Sequence, residues 1–191
     1  GTILKTRSDS GIGLIYLQHD ASQNGQVVVN QKDGVTRVLL HTDGASYFNS
    51  GNFGIGETSP TRKLVVAGDT NTVAVVRGAT NGTSSLFLGD SDDEDIGALT
   101  YNHPSNYLAI TVNASERARI DSAGRLLLGT STEGYSSGDD LTIATSGHTG
   151  ITLRSGTTSE GAVYFSDATS GGGEYIGSLV YSHNTNNMIF T

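Results

Sequence analysis

The sequence predicts an all-β protein, an elongated shaft of repeated short antiparallel strands and hairpins, and three observations carry that expectation. Gly, Ser, Thr and Asn make up 83 of the 191 residues, with only two Pro, which reads as many turns between short strands. Apolar residues alternate with period two through most of the chain, the signature of strands with one buried face. A strand–turn–strand unit also occurs twice with its turn glycines in register, and recurrence of this kind marks a repeat array. Leu, Ile, Val and Phe number 45, about 24%, above the level at which disorder is expected. With no Trp and 7% aromatic residues the core is thin, so apolar faces are expected to be buried against other chains.

In chain order, Val27–Val29 and Val35–Leu40 flank Lys32-Asp33-Gly34, a strong tight-turn signal, and Asp43-Gly44 is a second. The first copy of the unit follows, from Ala45 to Pro60, where Pro ends the strand for want of a donor. Strand patterns then run through Leu64–Val66, Val73–Arg77, Leu86–Leu88, Ile96–Tyr101 and Tyr107–Val112. The second copy of the unit spans Ser115 to Thr132. Aligning Gly51 with Gly124 places Tyr47 on Ile120, Ile55 on Leu128 and Gly56 on Gly129.

After that unit the pattern restarts. Leu64, Arg77 and Asp90 recur 77 positions later as Leu141, Arg154 and Asp167. Past Gly171-Gly172-Gly173 the offset becomes 80 and pairs Gly97, Tyr101, His103 and Thr111 with Gly177, Tyr181, His183 and Thr191. Three segments result: a diverged upstream β module over 1–62, a β repeat unit over 63–132, and its truncated second copy over 133–191. Thr191 stands where its counterpart Thr111 is mid-strand, so a further unit is expected beyond it. Repeats without intervening helices suit a shaft in which each unit buries its face against its neighbours.

Composition also excludes functions. A net charge of −8 opposes nonspecific binding to nucleic acid or anionic membranes, so neither is expected as a partner. No apolar run approaches a membrane span, and the N-terminus has no signal-peptide pattern. The absence of Cys removes disulfides and thiol metal sites.

No catalytic, cofactor or metal site is expected. The densest charge run, Asp90-Ser91-Asp92-Asp93-Glu94-Asp95, lacks the spacing and glycine of a calcium loop. Its counterpart, Asp167 to Glu174, has lost most of the acids, so the run reads as a solvated hairpin tip. His19, His41, His103, His148 and His183 show no zinc spacing, and the equivalence of His103 and His183 favours a turn role. The acids sit in turn-like segments, the serines lack a nucleophile elbow, and Gly11-Ile12-Gly13 lacks the strand–helix context of a phosphate loop. The best surface-loop candidates are Tyr101 to Tyr107 and Tyr181 to Asn187. There Tyr101, His103, Tyr107, Tyr181 and His183 could recognise a glycan by stacking and hydrogen bonding. The competing reading, a hairpin turn with Tyr packed on the shaft, is favoured.

Asn52-Phe53-Gly54-Ile55-Gly56-Glu57-Thr58-Ser59-Pro60 and Glu116-Arg117-Ala118-Arg119-Ile120-Asp121-Ser122-Ala123-Gly124-Arg125-Leu126-Leu127-Leu128-Gly129-Thr130-Ser131 closely resemble repeats of bacteriophage tail fibres. Such fibres often carry a C-terminal intramolecular chaperone of the endosialidase type. Departures from the family pattern are Ala118 for Met, Leu127 for Gly and Thr132 for Pro. The resemblance covers most of 47–191. It implies an intertwined homotrimeric β-shaft in the virion that contributes to host recognition, with a bacterial surface glycan or outer-membrane receptor as partner. Two other readings stand beside it: a tailspike-like polysaccharide depolymerase segment, and a bacterial or prophage surface adhesin.

Overall fold

The computed structural model describes residues 2–7, 13–30, 33, 35–48, 51–68 and 70–191. It is all-β, apart from one 3₁₀ turn at Gly171–Tyr175 among the described residues. The chain divides into two compact units, Gly1–Val75 and Val76–Thr191.

In the first unit, β1 (Thr2–Arg7), β2 (Gly13–His19), β3 (Gly25–Asn30), β4 (Thr36–His41) and β5 (Tyr47–Phe48) form an antiparallel meander in chain order. The expected Asp43-Gly44 turn joins β4 to β5, whereas Lys32, Gly34, Gly11 and Ile12 lie outside the described residues. Register places Ile15, Val29, Val38 and Phe48 in one row and Leu17, Val27 and Leu40 in the next, on a single face. Val28 is buried on the opposite face. Two short strands, β6 (Phe53–Ile55) and β7 (Leu64–Val66), then pair in parallel.

The second unit opens with a six-stranded sheet. Its strands are β8 (Thr83–Phe87), β9 (Gly97–Asn102), β10 (Tyr107–Val112), β11 (Ser115–Ile120), β12 (Leu126–Leu128) and β13 (Leu141–Ile143). All neighbours are antiparallel except β12 and β13, which are parallel. Asn113 and Ala114 link β10 to β11 with positive φ of 54° and 52°, as two-residue hairpin turns of the primed type require. A three-stranded sheet follows: β14 (Glu160–Phe165), β15 (Gly177–Ser182) and β16 (Asn187–Phe190).

The duplication legible in the sequence is a duplication of structure. Thr83 pairs with Asn102 and Phe87 with Ala98, and their counterparts Glu160 with Ser182 and Tyr164 with Ser178 pair likewise. The turn before each first strand closes through the same bond, Gly82 N to Ala79 O at 3.0 Å and Ser159 N to Gly156 O at 3.0 Å. Asp90 N bonds Asp93 O, and Asp167 N bonds Gly173 O, both at 3.1 Å.

The junction that closes each repeat differs from a simple hairpin. In both copies the strand after the turn takes a parallel partner across a loop, 56–63 in the first and 129–140 in the second. Equivalent bonds seal the pair. Ala67 N donates to Ile55 O at 2.9 Å, and Ala144 N donates to Leu128 O at 3.0 Å. Gly56 and Gly129 have φ of 73° and 72°, and a Cβ on either would lie 2.2 or 2.4 Å from the carbonyl oxygen of Ala67 or Ala144. Only glycine fits there.

The longer second loop accounts for Leu127. At the equivalent Gly54 a Cβ would sit 2.1 Å from the Glu57 carbonyl oxygen, because the short loop folds tightly back. The second loop has four more residues and room for a side chain. Gly134 N in that loop bonds Oγ1 of Thr142, the residue paired with Leu127 on the same face, at 3.0 Å. Leu127 is 1% exposed, the most buried large side chain among the described residues.

Val73–Arg77, which the sequence pattern marks as a strand, has no ladder partner, and neither has its counterpart 150–154. Alternation alone does not make a strand where no edge is presented to it.

Candidate functional site

The two hairpin ends that carry the predicted site residues are geometric copies. Tyr101 and Tyr181 project on the same face of their strands, opposite Leu108 and Met188. Each hydroxyl donates to an amide oxygen of its own turn, Asn106 Oδ1 or Asn186 Oδ1, at 3.3 Å. Asn106 and Asn186 have φ of 51° and 53°, the left-handed position that Asn tolerates in a turn. His103 and His183 meet the tyrosine rings edge-on, with centroids 5.2 and 4.9 Å apart. Tyrosine, histidine and asparagine thus form one unit at each end.

The copies differ beneath the histidine. Ser84 Oγ accepts Gly78 N–H at 2.8 Å and is hydrogen-bonded to His103 Nε2 at 2.9 Å. In the second copy Gly161 replaces Ser84, and the Leu153 Cβ lies 3.8 Å from where a Gly161 side chain would begin. His183 and Tyr181 there border a groove of about 280 Å³ with Ile151, Leu153, Val163, Leu179 and Met188. Tyr107 is placed apart from this pair. It stands on the opposite face of the sheet from Tyr101, with the Arg119 guanidinium 4.0 Å over its ring. Arg119 also donates to Glu116, Nη2 to Oε2 at 2.7 Å, and the carboxylate hydrogen bonds raise its pKa.

Glu116 and Arg119, with Gly129, Thr130 and Ser131, line a polar surface pocket of about 390 Å³ that the sequence did not single out. Spacing of three along a strand gave no signal for it. The pairing depends on a register shift between Ile110 and Thr111.

The junction turn is a polar clasp. Asp121 accepts Arg125 Nε at 2.7 Å and the N–H groups of Ala123 and Arg125 at 2.9 and 3.0 Å. These bonds, the Arg125 side chain foremost, hold the Asp121 carboxyl below its ordinary value, and they raise the Arg125 pKa in turn. Arg125 Nη1 reaches Asp139 at 2.8 Å and so ties the turn to the crossover loop. The first copy does the same with Asn52, whose amide donates to Pro60 O at 2.6 Å.

In the first unit Asp20 receives the N–H groups of Ser22 and Asn24 and the Nε2 of His41 at 3.0 Å. Asp43 N donates to the other ring nitrogen of His41 at 3.0 Å, which fixes Nε2 as the donor to Asp20. The ring pins two turns together. The Asp90–Asp95 run sits at the β8–β9 hairpin tip, where the Asp90 carboxylate accepts Asp92 N and Asp93 N and has a lowered pKa as a result. Among the described residues no group of three or more His, Cys, Asp or Glu side chains is placed to hold a metal ion. No helix among them is long and apolar enough to cross a membrane.

The largest chemical feature is apolar. One face of the six-stranded sheet carries Leu86, Leu99, Ile110, Ala118, Leu128 and Ile143 in one row, and Ser84, Tyr101, Leu108, Ile120, Leu126 and Leu141 in the next. Most of these large side chains are exposed. Val163, Leu179 and Phe190 continue the pattern on the three-stranded sheet. On the opposite face Ser85, Thr100, Ala109, Arg119, Leu127 and Thr142 form one row, and Phe87 is exposed on that face as well. No protein-family model matches the chain, and no curated protein matches it.

Proposed function

We propose that this chain is a structural and adhesive segment of a bacteriophage tail fibre, working as a homotrimer in the virion and without catalysis. The observation that supports this most is the exposed apolar face of the six-stranded sheet. A contiguous exposed apolar surface of this kind marks an association site.

Threefold symmetry and the phage assignment rest on the resemblance of the two junction units to tail-fibre repeats. The recurrence of one sheet pattern along the chain suits a shaft that grows by repetition. The polar turn tips at 102–106 and 182–186, rather than the Tyr101 and Tyr181 rings on the apolar face, are the surface offered to a bacterial glycan or outer-membrane receptor.

Light scattering on the purified protein tests the assembly, with three times 19.8 kDa as the expected mass. Incubation with bacterial capsule or lipopolysaccharide tests the adhesive role. Binding without release of reducing ends is expected, and their release would replace this reading with that of a depolymerase.

A further inference from the structure

We infer that the two partnerless segments Val73–Arg77 and 150–154 are interchain strands, each completing its backbone hydrogen bonds on a neighbouring copy of this chain. The inference rests on the multichain reading above and names how the copies join. Val-Ala-Val-Val-Arg is a strongly β-prone run, and its counterpart Gly-Ile-Thr-Leu-Arg keeps that character with Ile151, Thr152 and Leu153. Val73, Val75 and Ile151 are 75%, 70% and 67% exposed. Among the described residues, no backbone–backbone bond involves either segment. Two copies of one segment, 77 positions apart, share the same unfinished state.

Their own chain does not finish them. Five residues separate each segment from the edge strand that follows, β8 or β14, enough for a hairpin. In the second copy the chain instead passes over the sheet face: the Leu153 carbonyl oxygen lies 3.6 Å from where a Gly161 Cβ would be, and Ile151 and Leu153 border the apolar groove. That leaves the outer edges of β8 and β14 open. Neither edge carries Lys or Pro, the one charge is Glu160 at the start of β14, and Leu86, Phe87, Tyr164 and Phe165 are exposed. Edge strands of this kind template pairing with another chain. A segment docking on the next copy's edge is a heterologous contact, which makes a closed ring when the rotation between copies divides a full turn.

Hydrogen–deuterium exchange on the intact assembled protein, read on peptides spanning 70–78 and 148–156, tests this without any mutation. Both segments are expected to exchange at least tenfold more slowly than free chain, and to lose that protection when the assembly is dissociated. Free-chain exchange in a protein of multichain mass overturns the interchain strands and leaves the assembly reading standing. Protection that persists in dissociated single chains assigns the bonds to the same chain and overturns the inference. A single-chain mass for the native protein overturns both readings.

Discussion

Replacing Gly129 with Ala tests whether the parallel closure holds the repeat together. The new Cβ would lie 2.4 Å from the Ala144 carbonyl oxygen, against an ordinary carbon–oxygen contact of about 3.3 Å. Ala144 would have to retreat by roughly 0.9 Å, which disrupts the 3.0 Å bond from its N–H to Leu128 O. Gly129 also has φ of 72°, and an L-residue there costs about 1–2 kcal/mol. Adding about 0.5–1.5 kcal/mol for the lost bond gives a destabilisation of about 1.5–3.5 kcal/mol per chain. Gly124→Ala is the control, because Gly124 has φ of 86° but open space around its Cβ position. It should cost only the conformational part, about 1–2 kcal/mol. Urea unfolding at one fixed protein concentration measures both, since the stability of an assembly depends on concentration. Equal losses in the two variants would refute the reasoning, because the contact with Ala144 would then have no energetic weight.

Leu127→Ala should destabilise by about 2–5 kcal/mol, since Leu127 is 1% exposed under the longer crossover loop, and thermal unfolding checks it. Leu128→Asp places a carboxylate in the row with Ile110 and Ile143 and should prevent assembly; a light-scattering mass unchanged from wild type would contradict that. The lowered pKa of Asp121 makes stability depend on pH. Its contribution is present above the unfolded value of 3.8 and is lost as pH falls through the lower folded value. Unfolding midpoints between pH 2 and pH 6 should therefore fall on acidification, and less steeply in Asp121→Asn; superimposable pH profiles would count against the clasp.

Much of the fold was legible because its signals are local. Asp43-Gly44 between alternating runs read directly as a turn, and the recurrence of Leu64, Arg77 and Asp90 revealed a duplication that the strand registers reproduce. The parallel closure was not legible. Leu126–Leu128 and Leu141–Ile143 are three residues long, and nothing in so short an apolar run states the direction of its partner. The change of offset from 73 at Gly51 to 77 at Leu64 held the clue, since the four added residues lengthen one loop and accompany the replacement of Gly54 by Leu127. Val73–Arg77 read as a strand from composition, yet pairing needs an edge that composition cannot supply. At the candidate site, equivalence of His103 and His183 rightly suggested a shared turn geometry. The separation of Tyr107 from Tyr101 follows from strand alternation: six residues apart in sequence, they reach opposite faces because the turn reverses the chain and Tyr101 pairs with Leu108.

The central claim is that the apolar face of the six-stranded sheet is an interface between copies of this chain. Sedimentation equilibrium of the purified protein tests it most directly. The account predicts a single species of three times 19.8 kDa that persists on dilution. A folded species of 19.8 kDa with its β-sheet spectrum intact would contradict it.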